Sequence, residues 1–367
     1  MFRREKLVPV VAILLCIFLL SSSAFATTVT LTDESADEAA SLNNLAVTLA
    51  KENRYEEAID LVKRAIALKP DQYMAHYNLG CLLQARQKFD LAIVAFKETL
   101  RLKPEFAAAY HHLGVSYNET KRYEDAIKSL TRALHLTPDS ADSDYELGVA
   151  YSRLGRDEEA VNAFKEAIRL TPDSMEAYND LGVTYCNLRQ FKEAIESLEH
   201  AAQLAPDSAD VYHNLGSVYA DDGRPQEAII AFTQALRLKP DYPAALNNLG
   251  LTYSSLGDYD KAIESLQRAI LLNPGMAEAQ YNLGYAFSKK GRYKQAVKSY
   301  EQALLLKPDF AAAHNNLAVI YIQRGDRALA LQQYTLLKAI DYEMARKLFA
   351  MIFKDKILNV GARAETP

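Results

Sequence analysis

The chain has 367 residues, of which 42 are Lys or Arg and 47 are Asp or Glu, giving a formal net charge of −5. No basic stripe or basic tail interrupts this mild acidity, which argues against a nucleic-acid partner.

The first 26 residues differ in composition from the rest. Arg3, Arg4 and Lys6 form a basic start, Leu7 to Leu20 is an apolar run of 14 residues, and Ala24-Phe25-Ala26 closes it after three serines. This is the layout of a secretory signal peptide, and the run is short for a spanning helix. Residues 1–26 are therefore expected to be a signal peptide and the protein to be exported, to a bacterial periplasm or outside the cell. The alternative is an uncleaved anchor that leaves the chain facing the periplasm, with the membrane touched through this segment alone. Cys16 follows bulky Leu14 and Leu15 and makes a poor lipidation site. Cleavage removes three basic residues and one acid, so the remainder carries −7. Residues 27–38 are polar and read as a flexible leader.

From residue 39 the chain is periodic. Pro70, Pro104, Pro138, Pro172, Pro206, Pro240, Pro274 and Pro308 are spaced 34 residues apart without a slip. Nine tandem repeats follow over residues 39–344, the first being 39–72 and the last 311–344. Position 7 of each repeat is Leu and position 20 is Ala in all nine; position 8 is Gly in seven, and Ala46 and Ala318 in the end repeats. Position 11 is mostly Tyr. Apolar residues recur at helical spacing before position 14 and again after position 16, which predicts two antiparallel helices per repeat. Gly155, Gly223, Gly257, Gly291 and Gly325 fall between the two runs, where a left-handed residue closes the first helix. The proline at position 32 ends the second helix. The acid that usually follows it is expected to cap the next helix. With the two remaining cysteines, Cys81 and Cys186, 105 residues apart along such a stack, no internal disulfide can close between them. Residues 345–358, with Ala345, Leu348, Phe349, Ile352 and Phe353 at helical spacing, are expected to form a helix that covers the last repeat; an amphipathic partner- or membrane-binding helix is the alternative. Residues 359–367 are expected to be a disordered tail.

The pattern Leu-Gly-x-x-Tyr, then Ala, an aliphatic or aromatic residue, Ala and Pro in a 34-residue frame resembles the tetratricopeptide repeat. Residues 243–276 carry it as Leu249-Gly250, Tyr253, Tyr259, Ala262, Leu266, Ala269 and Pro274. Tryptophan, frequent at position 4 in that family, is absent. The resemblance implies an all-α, right-handed superhelical solenoid of about nine 34-residue helix-turn-helix units, whose first helices line a concave groove that holds partner segments.

Candidate binding residues are then the first-helix positions not needed for packing. Position 6 reads Asn44, Asn78, His112, Glu146, Asp180, Asn214, Asn248, Asn282 and Asn316, six asparagines of nine. Asparagine is a poor helix-interior residue, so its recurrence calls for another reason. An amide can grip the backbone of an extended peptide irrespective of side chains. The repeat half of O-linked N-acetylglucosamine transferases carries a similar asparagine ladder, although no catalytic domain is legible in this chain. Position 5 adds Tyr77, His111, Tyr145, His213 and Tyr281, and position 2 adds Asp142, Glu176 and Asp210. With Glu146 and Asp180 these acids favour a neutral or basic segment. The carboxylate clamp of one branch of the family, which captures acidic chaperone tails, needs Lys and Arg that positions 2, 5, 6 and 9 do not contain.

Chemistry finds little support. The sequence shows no phosphate loop, no nucleophile elbow, and no Cys or His spacing of a metal site, although His76, His111 and His112 fall in neighbouring first helices. The expectation is a protein without cofactor or metal that is not an enzyme: an exported scaffold binding an extended polypeptide, in envelope assembly, secretion or surface-polymer processes. A structural or self-associating solenoid, and a non-catalytic partner subunit of an enzyme such as a glycosyltransferase, remain open.

Overall fold

The computed structural model describes residues 34–363, with side chains over residues 36–353. The expected signal peptide, 1–26, lies outside the described residues, as does most of the expected leader. The described residues form 19 α-helices and no strand. The described residues divide into two compact halves, one up to residue 190 and one from residue 191. The N-terminal half holds α1 (Glu34–Lys51), α2 (Tyr55–Leu68), α3 (Tyr73–Ala85), α4 (Phe89–Leu102), α5 (Ala107–Glu119), α6 (Tyr123–Leu136), α7 (Ala141–Arg153), α8 (Asp157–Leu170) and α9 (Met175–Asn187). The C-terminal half holds α10 (Phe191–Leu204), α11 (Ala209–Asp221), α12 (Pro225–Leu238), α13 (Pro243–Ser255), α14 (Tyr259–Leu272), α15 (Ala277–Lys289), α16 (Tyr293–Leu306), α17 (Ala311–Gln323), α18 (Arg327–Ile340) and α19 (Tyr342–Arg363). Odd numbers up to α17 are first helices of repeats and even numbers up to α18 are second helices.

The turn inside each repeat is set by one left-handed residue. Gly155, Gly223, Gly257, Gly291 and Gly325 have φ between 72° and 81°. The N–H of the residue after the glycine then reaches back to the position 11 carbonyl: Arg156 to Tyr151 at 3.0 Å, Arg224 to Tyr219 at 2.8 Å, Asp258 to Tyr253 at 3.0 Å. Asn53, Gln87, Lys121 and Arg189 make the same turn at φ 57° to 62° without glycine, which residue type alone did not disclose. A side-chain staple sits over several of these turns. The Arg122, Arg156 and Arg224 guanidinium groups lie 4.5, 4.6 and 4.7 Å from the rings of Tyr117, Tyr151 and Tyr219. Each also pairs with an acid three residues on, Asp125, Glu159 or Glu227.

The expected caps differ. First helices α7, α9 and α11 are capped by Ser140, Ser174 and Ser208, whose hydroxyls accept from the N–H of Ser143, Ala177 and Val211. The acid one residue earlier lies outside the cap; Asp139 instead stands 3.7 Å from Arg169. A carboxylate one residue before the cap position is too far from the first turn to accept its N–H groups.

Repeat packing turns on position 8. A Cβ built on Gly80 would lie 2.5 Å from the ring of Phe96, on Gly148 2.7 Å from that of Phe164, and on Gly216 2.7 Å from that of Phe232. Glycine lets a fully buried position 24 side chain lie against the first-helix backbone. In the N-terminal half the core runs through Ala58, Val62, Phe96, Tyr77, Tyr117 and Leu130. In the C-terminal half it runs through Leu266, Tyr300, Leu317 and Leu337, and α19 adds Ala345, Leu348 and Ile352. The helix α19 begins at Tyr342 and runs to Arg363, past the expected end at Leu358, and Glu34 to Glu38 of the expected leader are already helical. Within each half, first helices also touch the first helices of neighbouring repeats. In each half they therefore form a layer, and it carries positions 2, 5, 6 and 9.

Candidate functional site

Positions 2, 5 or 6, and 9 follow one another at helical spacing and share one face of each first helix. Their exposure is graded. Asp142, Glu176 and Asp210 at position 2 are exposed. At position 6, Asn44 is exposed, Asn78 is buried, and His112, Glu146, Asp180, Asn214, Asn248, Asn282 and Asn316 are half-buried. At position 5, Tyr77 and His213 are buried, and His111, Tyr145 and Tyr281 are half-buried.

The asparagines are not simply presented to solvent. Asn78, Asn248, Asn282 and Asn316 hydrogen-bond between repeats, each to position 5 of the repeat before, 35 residues away. In the C-terminal half, Asn248 Nδ2 donates to His213 Nε2 at 3.2 Å, Asn282 Nδ2 to Asn247 Oδ1 at 3.0 Å, and Asn316 Nδ2 to the Tyr281 hydroxyl at 3.1 Å. Within a repeat the rungs are joined: Asn247 Nδ2 donates to Asn248 Oδ1 at 3.1 Å, and Asn315 Nδ2 to Asn316 Oδ1 at 3.4 Å. One run of bonds thus links repeats six to eight through His213, Asn248, Asn247 and Asn282, and a second links repeats eight and nine through Tyr281, Asn316 and Asn315. The N-terminal half keeps the same geometry with varied chemistry. Asn78 Nδ2 donates to Asn43 Oδ1 at 3.0 Å, the Tyr145 hydroxyl donates to Asp180 Oδ2 at 2.9 Å, and the Tyr77 and His112 rings meet at 5.8 Å between centroids.

Several of the candidate acids are likewise engaged. Glu146 accepts from Asn118 Nδ2 at 2.8 Å, Asp180 also accepts from Asn179 Nδ2, and Asp210 accepts from the Tyr242 hydroxyl at 2.8 Å. The expected acidic stretch keeps Asp142, Glu176 and Asp210 exposed, with Asp210 held by the Tyr242 hydroxyl. Burial, with the Asp210 bond second, raises the Tyr242 phenol well above its usual range. Desolvation pushes the His111 ring down to about 3, with His112 beside it adding to the effect, and burial pushes His213 down to about 4. Both rings are therefore neutral at pH 7. His111 Nδ1 is 2.9 Å from the Ser143 hydroxyl and His112 Nδ1 is 2.9 Å from Gln84 Oε1. Among the described residues no group of three or more His, Cys, Asp or Glu side chains could hold a metal ion, and no helix is long and apolar enough to cross a membrane.

Sequence reasoning missed position 9. There Leu251 is 49% exposed, and Tyr285 and Val319 are half-buried, so an apolar row runs beside the amide line in repeats seven to nine. It also missed the partners at positions 12 and 9, Gln84, Asn118 and Ser217. These partners lie 28 residues (Gln84–His112, Asn118–Glu146) or 31 residues (Ser217–Asn248) from their mates, short of the 34-residue period.

Comparison with known proteins agrees with this architecture. Tetratricopeptide repeat models match residues 39–72 and 75–106, a TPR repeat model matches 285–325, and the cilia and flagella-associated protein 70 C-terminal domain matches 107–303, more than half the chain. The chain belongs to the tetratricopeptide repeat family. Solved structures resemble it in turn. The anaphase-promoting complex tetramer Cut9–Hcn1 is similar at 21% identity and TM-score 0.55, over 88% of this chain and 67% of that one. Pseudomonas aeruginosa PilF is similar at 22% identity and TM-score 0.51, over 58% and 96%. MamA shares 34% identity at TM-score 0.41, over 45% of this chain and 96% of its own. No curated protein matches the chain in sequence. As a tetratricopeptide repeat protein made of stacked helix pairs, it has the fold of a protein–protein interaction scaffold.

Proposed function

We propose that this tetratricopeptide repeat protein binds an extended, neutral to basic polypeptide on the first-helix layer of its C-terminal half, without chemistry of its own, as an exported adaptor in cell-envelope assembly, secretion or surface-polymer processes. The observation that carries the binding reading is the row of exposed Leu251 and half-buried Tyr285 and Val319 beside a fixed line of amides. Apolar side chains left partly open next to ordered hydrogen-bonding groups suit a backbone on one side and its side chains on the other. Positions 2, 5, 6 and 9 hold Asp210 and Glu278 but no Lys or Arg, which disfavours an acidic segment. Export rests on the layout of residues 1–26, and transport of a fusion of those residues to a reporter enzyme tests it.

The asparagines also hold repeats together, so position 9 separates binding from folding. Peptides selected from a random twelve-residue display library against the whole chain are expected to carry more Lys and Arg than Asp and Glu. They should bind Leu251→Glu and Tyr285→Ala variants at least tenfold more weakly while circular dichroism stays unchanged. Equal affinity for the parent and both variants would remove the first-helix layer as the site.

A further inference from the structure

The hydrogen-bond line has a direction. Asn248 Nδ2 donates to both His213 Nε2 and Ser217 Oγ, at 3.2 and 3.4 Å, and Asn316 Nδ2 to the hydroxyls of both Tyr281 and Tyr300, at 3.1 and 3.4 Å. An amide nitrogen has two hydrogens and its oxygen has two lone pairs. In these two rungs both hydrogens are spent inside the protein. The carbonyl oxygens of Asn248 and Asn316 each accept one internal bond, from Asn247 and Asn315. What these two rungs have left to offer is acceptor capacity, while Asn282 Nδ2 donates one bond, to Asn247, and keeps a second hydrogen. The carboxylates of Asp210 and Glu278 on the same layer add acceptors and no donors.

The line also has a period. The rungs of repeats seven and eight are joined by two hydrogen bonds, 3.0 Å from Asn282 to Asn247 and 3.1 Å from Asn247 to Asn248. Neighbouring helix layers of this kind repeat at roughly 10 Å. An extended chain advances about 3.1–3.4 Å per residue, so about three residues span one repeat. A β-strand turns successive side chains to opposite faces, and its third residue onward would face away from the rung. A polyproline II helix has three residues per turn and returns the same face at every third residue. Its backbone makes no internal hydrogen bonds, so its N–H groups are free to donate.

We infer that the occupant of this layer is a polyproline II segment that donates one backbone N–H per three residues to the carbonyl oxygens of Asn248, Asn282 and Asn316, with every third side chain on the row Leu251, Tyr285 and Val319. The inference rests on the peptide-binding reading above and adds the conformation, the period and the sense of the hydrogen bonds. Proline is excluded at the donating position of each triplet and favoured at another.

The test changes the peptide and leaves the protein intact. Four labelled twelve-residue peptides are titrated into the whole chain by fluorescence anisotropy: a repeating Leu-Pro-Gln peptide, a shuffled peptide of the same composition with alternating leucines, and the repeating peptide N-methylated at every leucine or at every glutamine. The repeating peptide is expected to bind at least tenfold more tightly than the shuffled one. One methylated series should lose at least tenfold and the other less than twofold. Equal binding of repeating and shuffled peptides overturns the three-residue period while leaving peptide binding in place. Equal effects of the two methylations overturn the donor assignment. If none of the four binds, the inference falls, and the library selection above decides the broader reading by itself.

Discussion

Replacing Gly80 by alanine probes the contact on which repeat packing depends. The new Cβ would lie 2.5, 2.7 and 2.8 Å from three atoms of the Phe96 ring. Phe96 is fully buried and cannot swing into solvent. Overpacking of a filled core costs about 1–3 kcal/mol. Alanine returns about 1 kcal/mol through helix propensity, so against the middle of that range the net loss is expected at about 1 kcal/mol. The chain carries its own control. In the first repeat position 8 is Ala46 and the facing position 24 is Val62, a smaller side chain than Phe96. Combining Gly80→Ala with Phe96→Val recreates that pair inside the second repeat. The double variant should therefore lose at least about 1 kcal/mol less than the sum of the two single changes. Urea unfolding followed by circular dichroism reads this as shifts in midpoint, the appropriate quantity for a repeat array that need not unfold in one step. A Gly80→Ala midpoint equal to or above that of the parent, or a strictly additive double variant, would refute the reasoning.

Three further outcomes are expected. Lys121→Gly should raise the unfolding midpoint by an amount worth about 1 kcal/mol, because Lys121 sits at φ 61° where glycine serves other repeats. Asn282→Ala should cost about 1 kcal/mol through its lost bond to Asn247, and hydrogen exchange should rise at the contact between α13 and α15. Asp144 is buried, and burial first, with Glu166 second, pushes its carboxyl up from 3.8 to about 6. Its folded form therefore holds a proton that the unfolded chain has released, and its contribution turns unfavourable as pH rises from about 4 through 6. Asp144→Asn should stabilise the chain by on the order of 1–2 kcal/mol at pH 7.5 and by nothing measurable at pH 3.5, read from urea midpoints at each pH. His213 acts in the opposite sense: its ring is held neutral down to about 4, so its contribution fades as pH falls below 6.5.

Local rules made most of the fold legible. Proline at position 32 and glycine at position 15 act through backbone geometry a few residues wide, and both mark helix ends where the structure has them. The turns at Gln87, Lys121 and Arg189 were invisible by residue type because these side chains have no local preference for a left-handed backbone, whereas Asn53 is of a type that adopts it readily. The caps misled because the acid at position 33 is more regular than Ser140, Ser174 or Ser208 at position 34, although only the latter stand at the helix start. The candidate site was half legible. Recurrence of asparagine at position 6 showed that the position matters. It could not show that the amides of Asn248, Asn282 and Asn316 are directed at the repeat before. That pairing depends on how one first helix is offset along the next, a distance that sequence spacing does not contain. Position 9 was passed over because Val, Leu and Tyr there look like core until their exposure is known.

The central claim is that an extended polypeptide occupies the first-helix layer of the C-terminal half. A photo-crosslinking residue placed at Leu251 on that layer, and separately at Leu271 on a second helix, tests it with one labelled peptide from the display selection. Both side chains are open to solvent, at 49% and 79% exposure, so neither replacement disturbs the core. The account requires a saturable crosslink at position 251 that unlabelled peptide competes away, and none at position 271. Crosslinking at 271 alone, or equally at both, would contradict it.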